Sequence, residues 1–229
     1  MRKPFAWSWS ALNSFETCPK RHFLTKIVKA FPEKQNPQMI AGQQFHRALE
    51  LRIERGKTLP EHMQSCESTV RMLEAAAEKG GGSLVAERKI GVTEDLKECE
   101  YFDKNVWLRV VLDAQLDIGP WSMIIDWKTG KIKEDYDQLA LSAAVKFALS
   151  PETERVTTGY FWFQENRITQ EKFVRADAVG IWRNILPRVN KMREAIENND
   201  FPPKQSGLCR EHCPCVNCEF NGKYNGGSE

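Results

Sequence analysis

Residues 106–131, VWLRVVLDAQLDIGPWSMIIDWKTGK, admit few conformations other than two β-strands folded back on each other. Both runs are β-branched and aromatic, and they meet at a Gly-Pro turn, which predicts an antiparallel hairpin. Side chains alternate along a strand, so Asp126 and Lys128 share one face and Trp127 takes the other. Asp113 shares its face with Val111 and Gln115, and Asp117 is a competing acid on that face. If the arms pair around the turn, Asp113 and Asp126 lie close together across the sheet. Two carboxylates held together repel, and an oxygen-ligating divalent cation relieves the repulsion. Lys128 could then orient or deprotonate a water, or neutralise charge on a phosphorus transition state. The simpler alternative is an Asp126–Lys128 ion pair at a strand end.

The rest of the chain frames this hairpin. SLVAERKIGV predicts a further strand, separated from the hairpin by the charged TEDLKECEYFDKN, and the three strands suggest an antiparallel meander. Upstream, SWSALNSFETCPKRHFL reads as a helix capped by Ser8 or Ser10 and interrupted by Pro19. MIAGQQFHRALELRIERG repeats apolar positions at Phe45, Leu49 and Ile53 and stops at Gly56. EHMQSCESTVRMLEAAAEKG is a third helix that runs into GGGS, which reads as a flexible connection. Downstream come the helix EDYDQLALSAAVKFAL, short strands RVTTGYFWF and ITQEKFVRA, and a long amphipathic helix from about 178 to 199. The tail DFPPKQSGLCREHCPCVNCEF is irregular, and NGKYNGGSE reads as disordered. We read the chain as an α/β fold, a central mixed β-sheet flanked by helices with a Cys-rich C-terminal tail. We read it as one domain over 1–229, with a helical part at 1–82, an αβ core at 83–199 and the tail at 200–229.

The 33 basic and 31 acidic residues nearly cancel, so net charge neither requires nor excludes a polyanionic partner. No apolar run approaches the roughly 18 residues of a membrane helix, and the N-terminus lacks a signal-peptide pattern. The expectation is a cytoplasmic protein with no membrane association. Four of the 7 cysteines, Cys209, Cys213, Cys215 and Cys218, crowd into ten residues of the tail, a spacing that favours a metal or cluster over a disulfide framework. Zinc held within the tail by four of Cys209, His212, Cys213, Cys215 and Cys218 is one possibility. Cys66 and Cys99 read as ordinary thiols. Among the tryptophans, Trp107, Trp162 and Trp182 fit apolar patterns, whereas Trp7 and Trp9 are less easily explained by packing and are candidate stacking platforms.

Asp113, IIDWKTGK and DYDQLALSA together resemble the core of the PD-(D/E)xK nuclease superfamily, in its RecB-like and AddB-like branch, which includes phage and CRISPR-adaptation exonucleases. That branch's N-terminal S.S.L..F..CP..F element is matched by SWSALNSFETCPKRHF, and its G...H..LE helix by Gly42, His46, Leu49 and Glu50. The resemblance implies a restriction-endonuclease-like core and a Mg²⁺- or Mn²⁺-dependent DNA nuclease. It implies His46, Asp113, Asp126 and the Trp127 carbonyl as metal ligands and Lys128 as the catalytic lysine. Glu87 matches an acidic position that binds metal or water; a salt bridge to Arg88 or Lys89 is the alternative. His46 taken alone would read as a core histidine. Gln138 matches the glutamine of the branch's QxxxY motif, a DNA-contacting position, although Ser142 stands where that motif has tyrosine.

The same resemblance implies a [4Fe-4S] cluster held by Cys18 with Cys209, Cys213 and Cys218, Cys215 being an alternative ligand and Zn²⁺ the alternative occupant. The function expected is hydrolysis of phosphodiester bonds by an exonuclease in DNA processing, recombination or repair. Its DNA substrates would include single strands. No GxxxxGK[ST] motor motif occurs, so a recombination or helicase partner is expected. The alternative is a non-catalytic nucleic-acid-binding module with a structural zinc or iron-sulfur tail.

Overall fold

In the computed structural model of the chain, residues 5–32, 36–132 and 135–224 are described. They divide into two compact units. One comprises residues 1–6 and 36–185, the other 7–35 and 186–229.

The larger unit is built on a six-stranded sheet in the order β2-β1-β3-β4-β5-β6. Its strands are β1 (Ser83–Val92), β2 (Glu98–Cys99), β3 (Leu108–Ile118), β4 (Trp121–Lys128), β5 (Arg155–Trp162) and β6 (Arg167–Val174). All neighbours are antiparallel except β4 and β5, which run parallel, so the sheet is mixed. The meander expected of β1, β3 and β4 is present, with Gly119 supplying the positive φ of the turn and Ile118 paired with Trp121. The two-residue β2 was not expected within its charged segment. The parallel β4–β5 pair requires a crossover, and helix α5 (Asp137–Leu149) provides it. Glu134, at the start of the helix read from the sequence, lies outside the described residues.

Helices α3 (Pro37–Arg55) and α4 (Glu67–Gly80) cover one face of this sheet. Asn36 caps α3 by accepting the Met39 N–H, and Gly56 ends it in the left-handed conformation. Phe45, Leu49, Val70, Leu73 and Ala77 from the helices pack on Ala114, Leu116, Ile125, Trp127 and Phe161 from the strands. The segment expected as the start of the third helix is a 3-10 turn, Glu61–Cys66, before α4 begins. The glycine run is not a loose connection. Gly81 caps α4 with φ 61°, and a Cβ on Gly82 would sit 2.1 Å from the Asp117 carbonyl, so the turn is fixed against β3. On the other face, Leu139 of α5 packs with Tyr160 and Trp162.

The smaller unit joins the two ends of the chain. Ser8 caps α1 (Trp9–Thr17), and Pro19 stands at the start of a second short helix, α2 (Pro19–His22), which continues as a π turn over Phe23–Ile27. Helix α6 (Asp177–Asn198) enters this unit at Leu186. Arg188 binds the Glu16 carboxylate through two nitrogens, each 2.7 Å away, and its guanidinium lies 5.2 Å from the Trp9 ring. Phe23 stacks on Phe201 at 4.4 Å. Trp7, expected to be poorly explained by packing, is 1% exposed and belongs to the interior. Residues 225–229, within the segment read as disordered, lie outside the described residues.

Candidate metal-dependent active site

Three strands bring acids to one level of the sheet. The β1–β3 ladder pairs Ala86 with Ala114 and Arg88 with Leu112; Glu87, between them, faces Asp113 without pairing. Glu87 has φ 48°, a left-handed backbone in mid-strand that costs a non-glycine residue about 1–3 kcal/mol and persists only where its surroundings enforce it. The β3–β4 ladder ends at Ala114 and Ile125, so the strands part where Asp113 and Asp126 oppose each other. Across this fork the Trp127 N–H donates to Asp113 Oδ2 at 2.8 Å. Asp126 is also the partner of Tyr160 in the parallel ladder.

His46 enters from α3. Its Nδ1 lies 3.3 Å from Glu87 Oε1 and 3.4 Å from Asp113 Oδ2. One ligand atom from each of His46, Glu87 and Asp113 falls within 4.8 Å of the others, a spacing that fits one divalent cation. The donor set of one imidazole nitrogen and two carboxylate oxygens suits Mg²⁺ or Mn²⁺. Burial opposes charge on His46, but hydrogen bonds and charge from Asp113 and Glu87 prevail and hold the imidazolium up to about 10.

A second group adjoins the first. Lys128 Nζ is 2.6 Å from Asp126 Oδ2 and 3.3 Å from Gln138 Oε1, while Gln138 donates to Asp126 Oδ1 at 2.6 Å. Lys128 Nζ also lies 4.9 Å from the centre of the Tyr160 ring, a cation-π contact on the wall behind it. Burial and the charge of Asp113 push the Asp126 carboxyl up to about 6, against the opposing pull of Lys128 and His46. The site thus joins a ligand set to a half-buried lysine held between a carboxylate and an amide.

A profile of the PD-(D/E)XK nuclease superfamily matches residues 6–218. The chain belongs to the PD-(D/E)XK nuclease superfamily. It is also similar to the crystal structure of SSO0001, at 15% identity and TM-score 0.46 over 96% of this chain and 89% of that one. A second likeness is to LHK-Exo in complex with dAMP, at 12% identity and TM-score 0.37 over 85% of this chain and 89% of that one. No curated protein sequence matches it significantly.

Asp126-Trp127-Lys128 fits the (D/E)XK pattern of this superfamily in sequence. The residue before Asp113 is Leu112 rather than proline, and it sits in the β1–β3 ladder, where a proline could not donate a hydrogen bond. His46, Glu87 and Asp113 come together as one ligand set; Asp126, Lys128 and Gln138 form the contiguous group. The Trp127 indole is 1% exposed and packs on Phe161, so only its main chain faces the site. Glu87 is engaged by His46, and Arg88 is engaged elsewhere by Gln115 and Glu98. Ser142, one turn after Gln138, donates its hydroxyl to the Gln138 carbonyl. Asp117 accepts from Ser122 at 2.6 Å and pairs with buried Lys146 at 2.9 Å, outside the site. Tyr160 escaped the sequence reading because its place depends on the parallel β4–β5 register, which no local pattern encodes.

The smaller unit holds the sulfur-rich site. Cys18, Cys209, Cys213, Cys215 and Cys218 line one small cavity, together with Lys20, Arg21 and Lys204. Cys18 Sγ accepts the Lys204 and Arg21 N–H groups at 3.4 and 3.5 Å, and Cys209 Sγ accepts that of Ser206 at 3.3 Å. Cys215, 1% exposed, is the most buried of the five, and burial with nearby Cys213 pushes its thiol up to about 12. His212 does not line this cavity. Outside it, Cys66 is fully buried and Cys99 half-buried, consistent with ordinary thiols. Among the described residues, no helix is long and apolar enough to cross a membrane.

Proposed function

We propose that the chain is a Mg²⁺- or Mn²⁺-dependent deoxyribonuclease of the RecB-like, AddB-like branch, working as an exonuclease on DNA in processing, recombination or repair. The observation that carries this reading is the convergence of the His46, Glu87 and Asp113 ligand atoms beside the Asp126–Lys128 pair at the sheet fork. His46, Glu87 and Asp113 hold the divalent ion, with Asp126 and the Trp127 carbonyl completing the set. The ion, when bound, polarises the scissile phosphate and lowers the pKa of the attacking water. Asp126 and Gln138 fix the Lys128 ammonium at the site's edge, and Tyr160 limits its travel. There the Lys128 ammonium orients the attacking water and supplies positive charge to the developing pentavalent phosphorus. Gln138, bonded to both Asp126 and Lys128, presents its amide to the DNA backbone at the same point.

The tail cavity is best read as a [4Fe-4S] site held by Cys18, Cys209, Cys213 and Cys218, with Cys215 as the alternative fourth ligand. Five thiols lining one cavity, N–H groups aimed at sulfur, and lysine and arginine beside an anionic cluster support this reading. Its inclusion of Cys18 argues against zinc held within the tail alone. None of the seven cysteines is paired in a disulfide, which suits a reducing cytoplasm, and a separate motor or recombination partner would deliver DNA.

The test is incubation with end-labelled single- and double-stranded DNA in Mg²⁺ or Mn²⁺. Shortening from an end, abolished by EDTA and by Asp126→Ala with folding intact, is the expected result. A gel shift without cutting would instead establish the non-catalytic nucleic-acid-binding module.

A further inference from the structure

Past the fork, β1 and β3 continue without β4. They stay paired through Val92 and Leu108, five residues beyond the level of Glu87 and Asp113. One face of this arm runs directly from the catalytic level. Lys89 pairs with Val111 and Gly91 with Arg109, and by two-residue alternation all four share the face of Asp113. Among the described residues the middle of this face is open: Lys89 is exposed, and Val111 is 37% exposed despite its apolar side chain.

The loop after β2 closes over the far end of the same face. A Cβ on Gly91 would meet the Glu100 carbonyl at 2.4 Å, so the loop rests directly on that glycine and no larger residue fits. Tyr101 and Phe102 stand there edge to face at 4.9 Å, with the Arg109 guanidinium 5.9 and 5.7 Å from their rings. Arg109 Nε also donates to the Tyr101 carbonyl at 2.9 Å, fixing the pair. The turn is held further by Asp103, whose carboxylate accepts the Asn105 N–H at 2.7 Å. Phe102 nonetheless presents its ring to solvent, 82% exposed, more than any other large apolar side chain among the described residues. Supported by Tyr101 and Arg109 and free of the core, the outer face of this ring suits stacking on a base.

We propose that this face is the track of a single DNA strand leading to the catalytic centre. Its phosphates pass Lys89 and Arg109, its sugars lie along Val111, and one base stacks on Phe102. The assignment rests on the nuclease reading and adds to it a defined strand path. Arg109 is four residues from Asp113, about 13 Å at the rise of a strand. Phe102 therefore meets the base about four nucleotides from the scissile phosphate at the 3.4 Å spacing of a stacked strand. The acids Glu100 and Asp103 balance the local basic charge, so stacking rather than bulk electrostatics holds the strand there.

The test compares wild type with Phe102→Ala on end-labelled oligothymidylates of graded length, with Mn²⁺ affinity measured on both. Phe102→Ala should lower kcat/KM about tenfold on oligomers of about eight nucleotides or more. It should leave trimers, which end short of the platform, and Mn²⁺ affinity unchanged. In Phe102→Trp, the new indole should be quenched by long oligomers but not by trimers. Equal cleavage by wild type and Phe102→Ala at every length would overturn the track and leave the nuclease reading standing. A loss at every length with weakened Mn²⁺ binding would reduce Phe102 to a structural role and also overturn it. Failure of wild type to cut any DNA would remove the nuclease reading and the track with it.

Discussion

Metal binding at this site should expel a proton, because His46 cannot ligate a cation and carry its own charge together. In the metal-free protein Asp113 and Glu87 hold the imidazolium up to about 10, so at pH 8 nearly every molecule has His46 protonated. Displacing that proton lowers apparent affinity by a factor of about 10² at pH 8, and the penalty changes tenfold per pH unit. Mn²⁺ affinity should therefore rise about tenfold for each unit between pH 7 and 9. Below about pH 6 the fall should steepen as Asp126 also takes up a proton. Titration calorimetry with Mn²⁺ at pH 8, in two buffers of different ionisation enthalpy, measures the protons released; the expected number is close to one. His46→Ala should weaken affinity and flatten the slope together, with thermal stability nearly unchanged. Affinity independent of pH from 7 to 9, with no proton released in wild type, would refute His46 as a ligand. A fall in melting temperature as the main effect of His46→Ala would identify it as a core histidine.

Lys128→Ala should reduce metal-dependent cleavage about 10²- to 10⁴-fold while leaving Mn²⁺ affinity within a few-fold, read by single-turnover kinetics. Cys18→Ser should bleach an anaerobically purified, brown protein and destabilise it, because the cysteine and the tail belong to one compact unit; colourless protein containing zinc and indifferent to this change would exclude the cluster. Asp117→Asn should cost about 2 kcal/mol in denaturant unfolding, since Lys146, only 9% exposed, loses its counter-charge. Although burial works to raise the Asp117 pKa, Ser122 and Lys146 hold it below the usual range. Its stabilisation is complete above pH about 4 and lost as pH falls further, and the Asn variant should lack that part of the acid sensitivity.

The strands of the site were legible because their signals are local. Period-two alternation, β-branched residues and the Gly-Pro turn placed Asp113 opposite Asp126 before any coordinates. Helix ends were equally plain where a cap residue marks them, as at Gly56. Other features depend on distant segments. The crossover that makes β4 and β5 neighbours, and so sets Tyr160 behind Lys128, leaves no periodic trace. The left-handed backbone of Glu87 is imposed by its surroundings, since glutamate has no preference for it. The burial of Trp7 likewise follows from tertiary packing rather than from its neighbours in sequence. The glycines at the end of α4 show the converse error: a glycine run suggests looseness, yet Gly81 caps the helix and the close approach of Gly82 to Asp117 tightens the turn.

The pairing of the first thirty-odd residues with the last forty also sets a timetable for synthesis. Trp7, Leu12 and Phe15 are made before the sheet unit, but their own unit lacks its second half until the 150 residues of 36–185 have been made. At about 5–20 residues per second this interval lasts about 8–30 s. The sheet unit, apart from its first few residues a continuous stretch, can fold within it. Until 186–229 follow, the apolar side chains of 7–35 lack that half of their unit. Residues 7–35 are thus among the last parts of the two units to find their place.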